Sequence, residues 1–135
     1  MRKPVIATGR RKAAVARAVL TEGSGRVYLN GTPLETCGQE LVRLKIMEPL
    51  LLAGELAKKV DVRVNVRGGG VMGQADAART AVARGLIEWA KEENPQLRET
   101  FRQYDWTLIK SDTRFKLPKK PEGYGARAKY QKSYR

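Results

Sequence analysis

The 135-residue chain contains no histidine and a single cysteine, Cys37. It therefore lacks the side chain that most often serves as a general base or metal ligand near neutral pH. One cysteine excludes an internal disulfide and fits a reducing environment, and a free cysteine is more often a small core residue than a nucleophile. No group of acidic residues has the spacing of a metal site. The composition predicts a protein that is not an enzyme and binds no metal or cofactor.

Long hydrophobic runs are also missing. The longest apolar-rich stretch, Leu50 to Ala53, is far shorter than the roughly 20 residues that span a bilayer. Arg2 and Lys3 are not followed by the apolar run of a signal peptide, and no basic amphipathic helix supports binding to a membrane surface. We expect a soluble, cytoplasmic protein without a membrane partner.

Acidic residues are scarce relative to basic ones, 14 against 27, which gives a net charge of +13. Residues 1–20 carry six basic residues and no acid, and residues 114–135 carry eight with only Glu122 against them. Residues 21–113 hold 13 of each sign and are neutral. A neutral body with two basic arms favours a nucleic acid as partner.

Three segments have the alternating pattern of strands. In residues 14–20, small or apolar side chains share one face, which suggests that another element packs close to it. Residues 26–30 follow a glycine-rich loop and are predicted to return as the second strand of a hairpin. Residues 60–66 alternate valine with polar residues, and three glycines end this strand. Residues 106–109 are a candidate edge strand.

The first helical region has a cap signal and an internal break. Thr32 followed by Pro33 predicts a helix N-cap. Residues 39–47 have a helical pattern, and we expect Leu41, Leu44 and Met47 to point inward. Pro49 is expected to interrupt or restart the helix, and residues 50–57 to form a second short helical piece that is broken near Gly54.

A longer helix is predicted over residues 74–93, with Ala75, Ala78, Val82, Gly85, Leu86 and Trp89 on its buried face. Charged pairs on this helix, such as Asp76 with Arg79 and Arg84 with Glu88, are interpreted as ordinary surface pairs. Asn94 and Pro95 start another helix, which carries Leu97, Phe101 and Tyr104 on one side. A sheet with its helices on one face is an α+β fold.

The glycine-rich segment from Arg67 to Gln74 follows a strand and opens a helix, which is the placement of a phosphate cradle. It lacks the Lys-Ser/Thr pair of a Walker loop and the spacing of a dinucleotide fingerprint. Three interpretations remain open: a tight turn that needs positive φ, backbone amides facing a nucleic-acid phosphate, or a nucleotide cradle. Arg67 and Arg79 favour the second.

Each basic arm can be interpreted either as solvent-exposed charge or as a segment that binds nucleic acid. Residues 9–12, Gly-Arg-Arg-Lys, form either a solvated loop or a phosphate contact. Residues 114–135 mix cations with Phe115 and three tyrosines, and prolines and glycines break any regular element. This tail is predicted to be disordered alone, serving either as a solubilising tail or as a segment ordered by RNA.

Five segments in order resemble one family: GRRKAAVARAVL, GSGRVYLNG, KIMEPLLL, VNVRGGGVMGQADAARTAVARGL and KYQKSYR. Together they resemble the family of the ninth protein of the small ribosomal subunit, and the ending GYGARAKYQKSYR is similar to its archaeal and eukaryotic branch, with an archaeal leaning in the body. The resemblance implies a mixed, mostly antiparallel sheet with a left-handed β-α-β crossover, against the usual right-handed rule. That fold is implied to match the second domain of the fifth small-subunit ribosomal protein, and the fold family includes small-molecule kinases.

The resemblance also implies partners and site residues. The partners are rRNA in the head of the small subunit, the peptidyl-site tRNA, and neighbouring head proteins. Contacts to rRNA are expected from Arg10, Arg11, Lys12, Arg17, Arg67, Gly69, Gln74, Arg79, Arg114, Lys116, Lys119, Lys120, Arg127 and Lys129. Contacts to the tRNA anticodon stem-loop are expected from Lys132, Tyr134 and Arg135.

We therefore expect a globular rRNA-binding domain over residues 1–112 and an extended basic tail over residues 113–135. Fully extended, the tail from Arg114 could reach roughly 70 Å at ~3.3 Å per residue. Two other functions are kept as alternatives. One is a kinase-like enzyme that binds a nucleotide at residues 68–73, and the other is a DNA-binding architectural protein outside the ribosome.

Overall fold

The computed structural model describes residues 2–36 and 38–134, so Cys37 lies outside the described residues. Five strands form one mixed sheet in the order β1-β2-β5-β3-β4. They are β1 (Val5–Arg11), β2 (Ala14–Glu22), β3 (Val27–Leu29), β4 (Thr32–Pro33) and β5 (Val60–Arg67). The helices are α1 (Glu40–Ala53), α2 (Val71–Trp89) and α3 (Leu97–Tyr104). Short 3-10 helices cover Leu34–Thr36, Gly54–Lys59 and Trp106–Leu108.

The α+β class with helices on one face of the sheet is confirmed. The alternating pattern of β2 and β5 places Ala14, Ala16, Ala18, Leu20, Val60, Val62, Val64 and Val66 in the core. Helix α2 covers this face, and α1 packs against α2. The other face of the sheet carries the alternate side chains of the same strands and remains open to solvent.

The small residues of β2 and α2 allow a close approach between sheet and helix. A Cβ atom at Gly85 of α2 would collide with the side chain of Leu20 on β2, and one at Gly9 of β1 would collide with the α2 backbone. These two glycines are therefore needed because they have no side chain. The expected buried face of this helix is confirmed, although α2 begins at Val71, three residues before the predicted start, and ends at Trp89, four residues before the predicted end.

The predicted hairpin between β2 and residues 26–30 is wrong. Strand β2 pairs antiparallel with β1 and with β5, whereas β3 pairs parallel with β5. The turn signal at residues 23–25 ends β2, but β5 takes the position beside it because its eight residues offer a longer ladder than the three of β3. The connection from β3 through α1 to β5 is a β-α-β crossover, and its left-handedness stays a prediction.

Helix α1 differs most from its prediction. It continues through Pro49, which is buried, and ends at Gly54, where φ is +64°. Its buried residues are Val42, Ile46 and Pro49, so the expected inward face is wrong; Leu41, Leu44 and Met47 are all exposed. The helix has apolar residues around its circumference, and periodicity alone therefore could not select the buried side.

Two smaller predictions also fail. Thr32 and Pro33 form the short strand β4 before a 3-10 turn and do not cap a long helix. Residues 106–109 form no edge strand, because Trp106–Leu108 is a 3-10 helix capped by Asp105, whose side chain accepts a hydrogen bond from the Thr107 amide. Helix α3 buries Leu97 and Phe101 as expected, while Tyr104 is exposed.

Candidate nucleic-acid interface

Four arginines project from the open face of the sheet. Arg10 of β1, Arg17 of β2, and Arg63 and Arg67 of β5 are exposed, and none of them forms an ion pair within the described part of the chain. We call these four residues the sheet-face arginines. Their excess of unpaired positive charge is directed into solvent on one side of the molecule, which is the electrostatic requirement for binding a polyanion.

Strand register sets the positions of these arginines. Val15 lies between Arg10 and Arg67 across three strands, so both guanidiniums flank one apolar residue. The next row pairs Arg17 with Asn65. Because rows on one face lie about 7 Å apart along a strand and strands about 4.8 Å apart, the cations form a spaced array.

The third row adds an aromatic side chain. Arg63 lies opposite Tyr28 of β3, and the Arg63 guanidinium carbon lies 5.7 Å from the centre of the Tyr28 ring. The alternation of β5 had already placed Arg63 and Arg67 on the same face, but the sequence analysis omitted Arg63 from the candidate residues. The pattern of β5 was a sufficient signal to include it.

The only acidic side chain on the central strands of this face is satisfied within the protein, among the described residues. Oδ1 of Asp61 accepts hydrogen bonds from the amides of Ser24, Gly25 and Arg26 at 3.0 to 3.1 Å. Burial alone would raise the pKa of Asp61, but these three amides and the charge of Arg26 outweigh it and lower the pKa below its usual value. The carboxylate fixes the loop after β2.

The glycine-rich turn joins this face to α2. Gly68 and Gly69 have φ of +78° and +67°, and a Cβ atom at Gly68 would come within 2.6 Å of the Ala13 carbonyl oxygen. The interpretation as a tight turn that needs positive φ is confirmed. Gln74 donates its side-chain amide to the carbonyl of Gly68 at 3.1 Å, which braces the turn, while Gly69 is exposed.

The hollow beside this turn does not resemble a nucleotide site. It has a volume of about 480 Å³ and lies among β3, β5 and the first turns of α1 and α2. Its lining has no charged side chain among the described residues. Phosphate groups of a nucleotide would find no Lys or Arg there, in contrast to the cationic partners that phosphate sites use.

A network of ion pairs holds the origin of the tail against the body. Asp112 is paired with Arg11 at the end of β1 and with Arg114, whose Nη2 lies 2.7 Å from Oδ2. Arg11 also lies 3.8 Å from Asp76, which accepts a hydrogen bond from Lys45 at 2.7 Å. The hydrogen bonds and charge of Arg114 hold the pKa of Asp112 well below its usual range.

The structure disfavours Arg79, which was expected among the rRNA contacts, as a residue that reaches RNA. Arg79 is 9% exposed, and its guanidinium donates to Glu48 at 2.6 Å, to Thr107 at 3.0 Å and to Asp105 at 3.1 Å. With these donors occupied inside the protein, the side chain joins α2 to α1 and to the Asp105 turn. The expected surface pair between Asp76 and Arg79 is likewise absent from the described contacts, since both residues pair with other elements.

Arg84 was also expected to form a surface pair, with Glu88, and this is wrong. It donates to the carbonyl oxygens of Ile109 and Thr8 at 2.8 and 3.0 Å and to the Ser111 hydroxyl at 3.3 Å. The side chain therefore connects α2 and β1 to the segment that leads into the tail. Arg79 and Arg84 are basic residues with structural roles, which sequence composition could not distinguish from RNA-binding ones.

The remaining predicted residues lie on two surfaces. Lys12 is exposed in the β1–β2 turn with φ of +52°, and Arg11 has a side chain 20% exposed beside it. The tail residues are exposed and far from the core: Arg114, Lys116, Lys119, Lys120, Arg127, Lys129, Lys132 and Tyr134. Arg135 lies outside the described residues. The core contains no residue beyond Leu108 among those described.

Part of the tail has local structure that the sequence analysis did not expect. The amide of Tyr124 donates to the carbonyl of Ala128 at 3.0 Å, and Gly123 and Lys129 form an antiparallel bridge. The rings of Tyr124 and Tyr130 meet edge to face with their centres 4.4 Å apart. We call residues 120–130 the tail loop. The bridge between Gly123 and Lys129 shortens the reach of the tail by roughly 15 Å, which is six spacings of ~3.3 Å less the ~5 Å that remains between paired residues.

The residues that the structure describes show neither a metal-binding group nor a membrane span. No group of three or more potential metal ligands lies together there. None of the described helices has the length and apolar character needed to cross a bilayer.

Comparison with known proteins supplies the context for this surface. The family model described as ribosomal protein S9/S16 matches residues 9–135. Proteins named small ribosomal subunit protein uS9 from Thermoplasma volcanium and Thermoplasma acidophilum are 58% and 56% identical, over 97% of this chain and 98% and 100% of theirs. The protein of that name from Methanothrix thermoacetophila is 53% identical over 98% of this chain and 99% of its own length.

Proposed function

Because this chain belongs to the ribosomal protein S9/S16 family of the small ribosomal subunit, we propose that its sheet-face arginines and tail bind rRNA in the subunit head. The expected family, its archaeal character and its place in the small ribosomal subunit are confirmed by the relatives, each named small ribosomal subunit protein uS9. The observation that carries the proposal is the array of Arg10, Arg17, Arg63 and Arg67, none of which is ion-paired with any of the residues that the structure describes.

The body would attach first through this array. Arginine contacts to phosphates release counterions from the RNA and supply affinity that falls as salt rises. Tyr28 and Asn65 lie within the same surface and could stack on or hydrogen-bond to unpaired bases. Lys12 and the amide of Gly69 border the array at the glycine-rich turn, and they extend the proposed contact to a further phosphate.

The tail would then reach a second RNA. The proposed division into a body of residues 1–112 and a tail of residues 113–135 is supported by the Asp112 ion pairs, which lie at that boundary. The exposed cations from Lys116 to Lys129 would contact rRNA, and Lys132, Tyr134 and Arg135 would meet the anticodon stem-loop of the peptidyl-site tRNA. A flexible basic segment can follow a channel between RNA helices and order there.

The proposal is tested by binding of the full chain and of a truncation ending at Asp112 to the head domain of small-subunit rRNA across a salt series. Shuffled RNA and duplex DNA serve as competitors. We expect rRNA binding that resists both competitors, with a shallower salt dependence for the truncation because it loses the tail cations. Equal binding to all three polymers would contradict specific rRNA recognition, and a preference for duplex DNA would favour the architectural alternative.

The tRNA contact needs its own test. Arg135→Ala is expected to weaken peptidyl-site tRNA binding by reconstituted subunits while assembly of those subunits stays normal. Reduced assembly with unchanged tRNA binding would contradict this role. Saturable ATP binding by the isolated chain would revive the kinase-like alternative, which the uncharged hollow beside the glycine-rich turn disfavours.

A further inference from the structure

Helix α1 exposes a row of large apolar side chains on the solvent side of the helix layer. Leu44 and Leu51 are seven residues apart, which is about two helical turns, so they lie on one line. They are 51% and 70% exposed, and Leu41 and Met47 flank them at 56% and 37%. A soluble single chain gains nothing from presenting four such residues on one helix, and a contiguous exposed apolar patch of this kind marks an interaction surface.

A groove continues this row toward the sheet. Met47 and Leu51 form one wall, Val27 of β3 and Leu34 form the other, and the volume is about 430 Å³. Gly54, where the chain turns with positive φ, also lines the groove. The row and the groove together make a surface with a ridge and a depression, which can fit a complementary apolar partner. We call this surface the α1 face.

The charges around the α1 face disfavour RNA as its occupant. Lys58 is paired with Glu55 at 3.1 Å, and Arg43 donates to the carbonyl of Glu35. The carboxylates of Glu35 and Glu40 form no ion pair with any described residue. Because these two acids and Glu55 outnumber Arg43 and Lys58, a phosphate backbone would meet no net positive charge at this face.

We infer that the α1 face binds a neighbouring protein of the small subunit, one that presents an apolar ridge flanked by basic side chains. This inference rests on the proposed function, because it assigns the two sides of the body to two kinds of partner. RNA would occupy the sheet-face arginines, and the protein would occupy the opposite side, where apolar side chains and unpaired acids complement it. Leu44 and Leu51 are the expected anchors, since buried side chains near the centre of an interface carry most of its binding energy.

The test is oxidative footprinting of the full chain, with hydroxyl-radical modification of Met47 quantified by mass spectrometry. Four samples are compared: the free protein, a tenfold more concentrated free protein, the protein with head-domain rRNA alone, and the protein in subunits reconstituted with the remaining small-subunit proteins. We expect protection of Met47 only in the last sample. Protection by rRNA alone, protection by concentration alone, or no protection in any sample would each overturn the inference.

A double substitution tests whether the α1 face is needed to retain a neighbouring protein. Leu44→Gln together with Leu51→Gln removes the anchors from exposed positions, where substitutions usually leave folding intact. We expect roughly tenfold or greater loss of at least one neighbouring protein from reconstituted subunits, with unchanged affinity for head-domain rRNA. Tyr104→Gln together with Trp106→Gln, which removes equally exposed apolar side chains elsewhere, is the control and should retain all proteins. Full retention of all neighbouring proteins by the α1 variant would overturn the inference. Failure of the unmodified chain to bind head-domain rRNA would instead count against the proposed function.

Discussion

Arg79 of α2 and Glu48 of α1 form an ion pair with 2.6 Å between Nε and Oε2. The pair crosses the interface between the two helices, and the same guanidinium reaches Asp105 and Thr107 beyond α3. One buried cation thus connects three parts of the helix layer. The guanidinium of this basic residue is therefore used for contacts within the body.

The first prediction concerns this cation. Arg79→Gln should lower the free energy of unfolding by about 2 kcal/mol, because it leaves Glu48 and Asp105 without their partner while each keeps about a third of its side chain in water. Urea unfolding followed by circular dichroism measures the change. Arg102→Gln, at an exposed position of α3, is the matched control and should change stability little. Equal effects of the two substitutions would argue against the network.

A second prediction compares two glycines of α2. Gly85→Ala should destabilise the body by about 1–3 kcal/mol, because its Cβ would collide with Leu20 and separate helix from sheet. Gly73→Ala meets only ordinary contacts at 3.8 Å and should be neutral or stabilising, since alanine favours the helix by up to ~1 kcal/mol. The melting temperatures of both variants, measured by thermal unfolding, test these two expectations. A stabilising Gly85→Ala would show that the close approach is not required.

A third prediction concerns pH. Because the amides of residues 24–26 lower the pKa of Asp61 in the folded state, its contribution to stability is present above the unfolded pKa of about 3.9 and is lost as pH falls through the lower folded value. Asp61→Asn retains an acceptor oxygen but not the charge. The stability difference between the two proteins should be largest near pH 6 and should narrow below pH 4 in urea titrations. A constant difference across this range would contradict the role of the charge.

A fourth prediction concerns the tail loop. Gly123→Ala should open it, because the added Cβ would collide with the Ala128 carbonyl. Gly125→Ala finds open space at a backbone conformation that alanine can adopt and is the control. Relaxation of the backbone amides of residues 122–130, measured by NMR, should show increased motion for the first variant only. Equal mobility in all three proteins would mean that the loop does not form in the free chain.

Sequence patterns predicted some elements well and others poorly, for physical reasons. Strand β5 alternates strictly between apolar and polar residues, which allows only one assignment of its two faces. Its inward valines and outward arginines could therefore be assigned directly. Helix α1 is apolar on every side, and only its packing against α2 selects Val42 and Ile46 over Leu44 for burial. The position of β5 between β2 and β3 depends on long-range pairing, which no local turn signal encodes.

In the candidate site, too, some residues could be predicted from the sequence and others could not. The exposed residues of the strands and the tail could be placed from alternation and charge, and Arg63 could have been added by the same reasoning. The burial of Arg79 could not be foreseen, because it depends on Asp105 and Thr107, which approach α2 only in the folded chain. Charge alone predicts the sign of the partner, and tertiary structure determines which cations are free to meet it.

The most direct test of the account is the salt dependence of binding to head-domain rRNA for a triple variant of the sheet face, Arg17→Gln with Arg63→Gln and Arg67→Gln. A control variant removes three exposed cations from the helix side, Lys91→Gln with Arg98→Gln and Arg102→Gln. We predict that the sheet-face variant loses affinity and that its slope of log K against log salt becomes shallower by about 2 to 3, given roughly 0.7 to 0.9 per phosphate contact. The control should keep the original slope. Equal losses in both variants would mean that net charge, and not the open sheet face, binds the RNA.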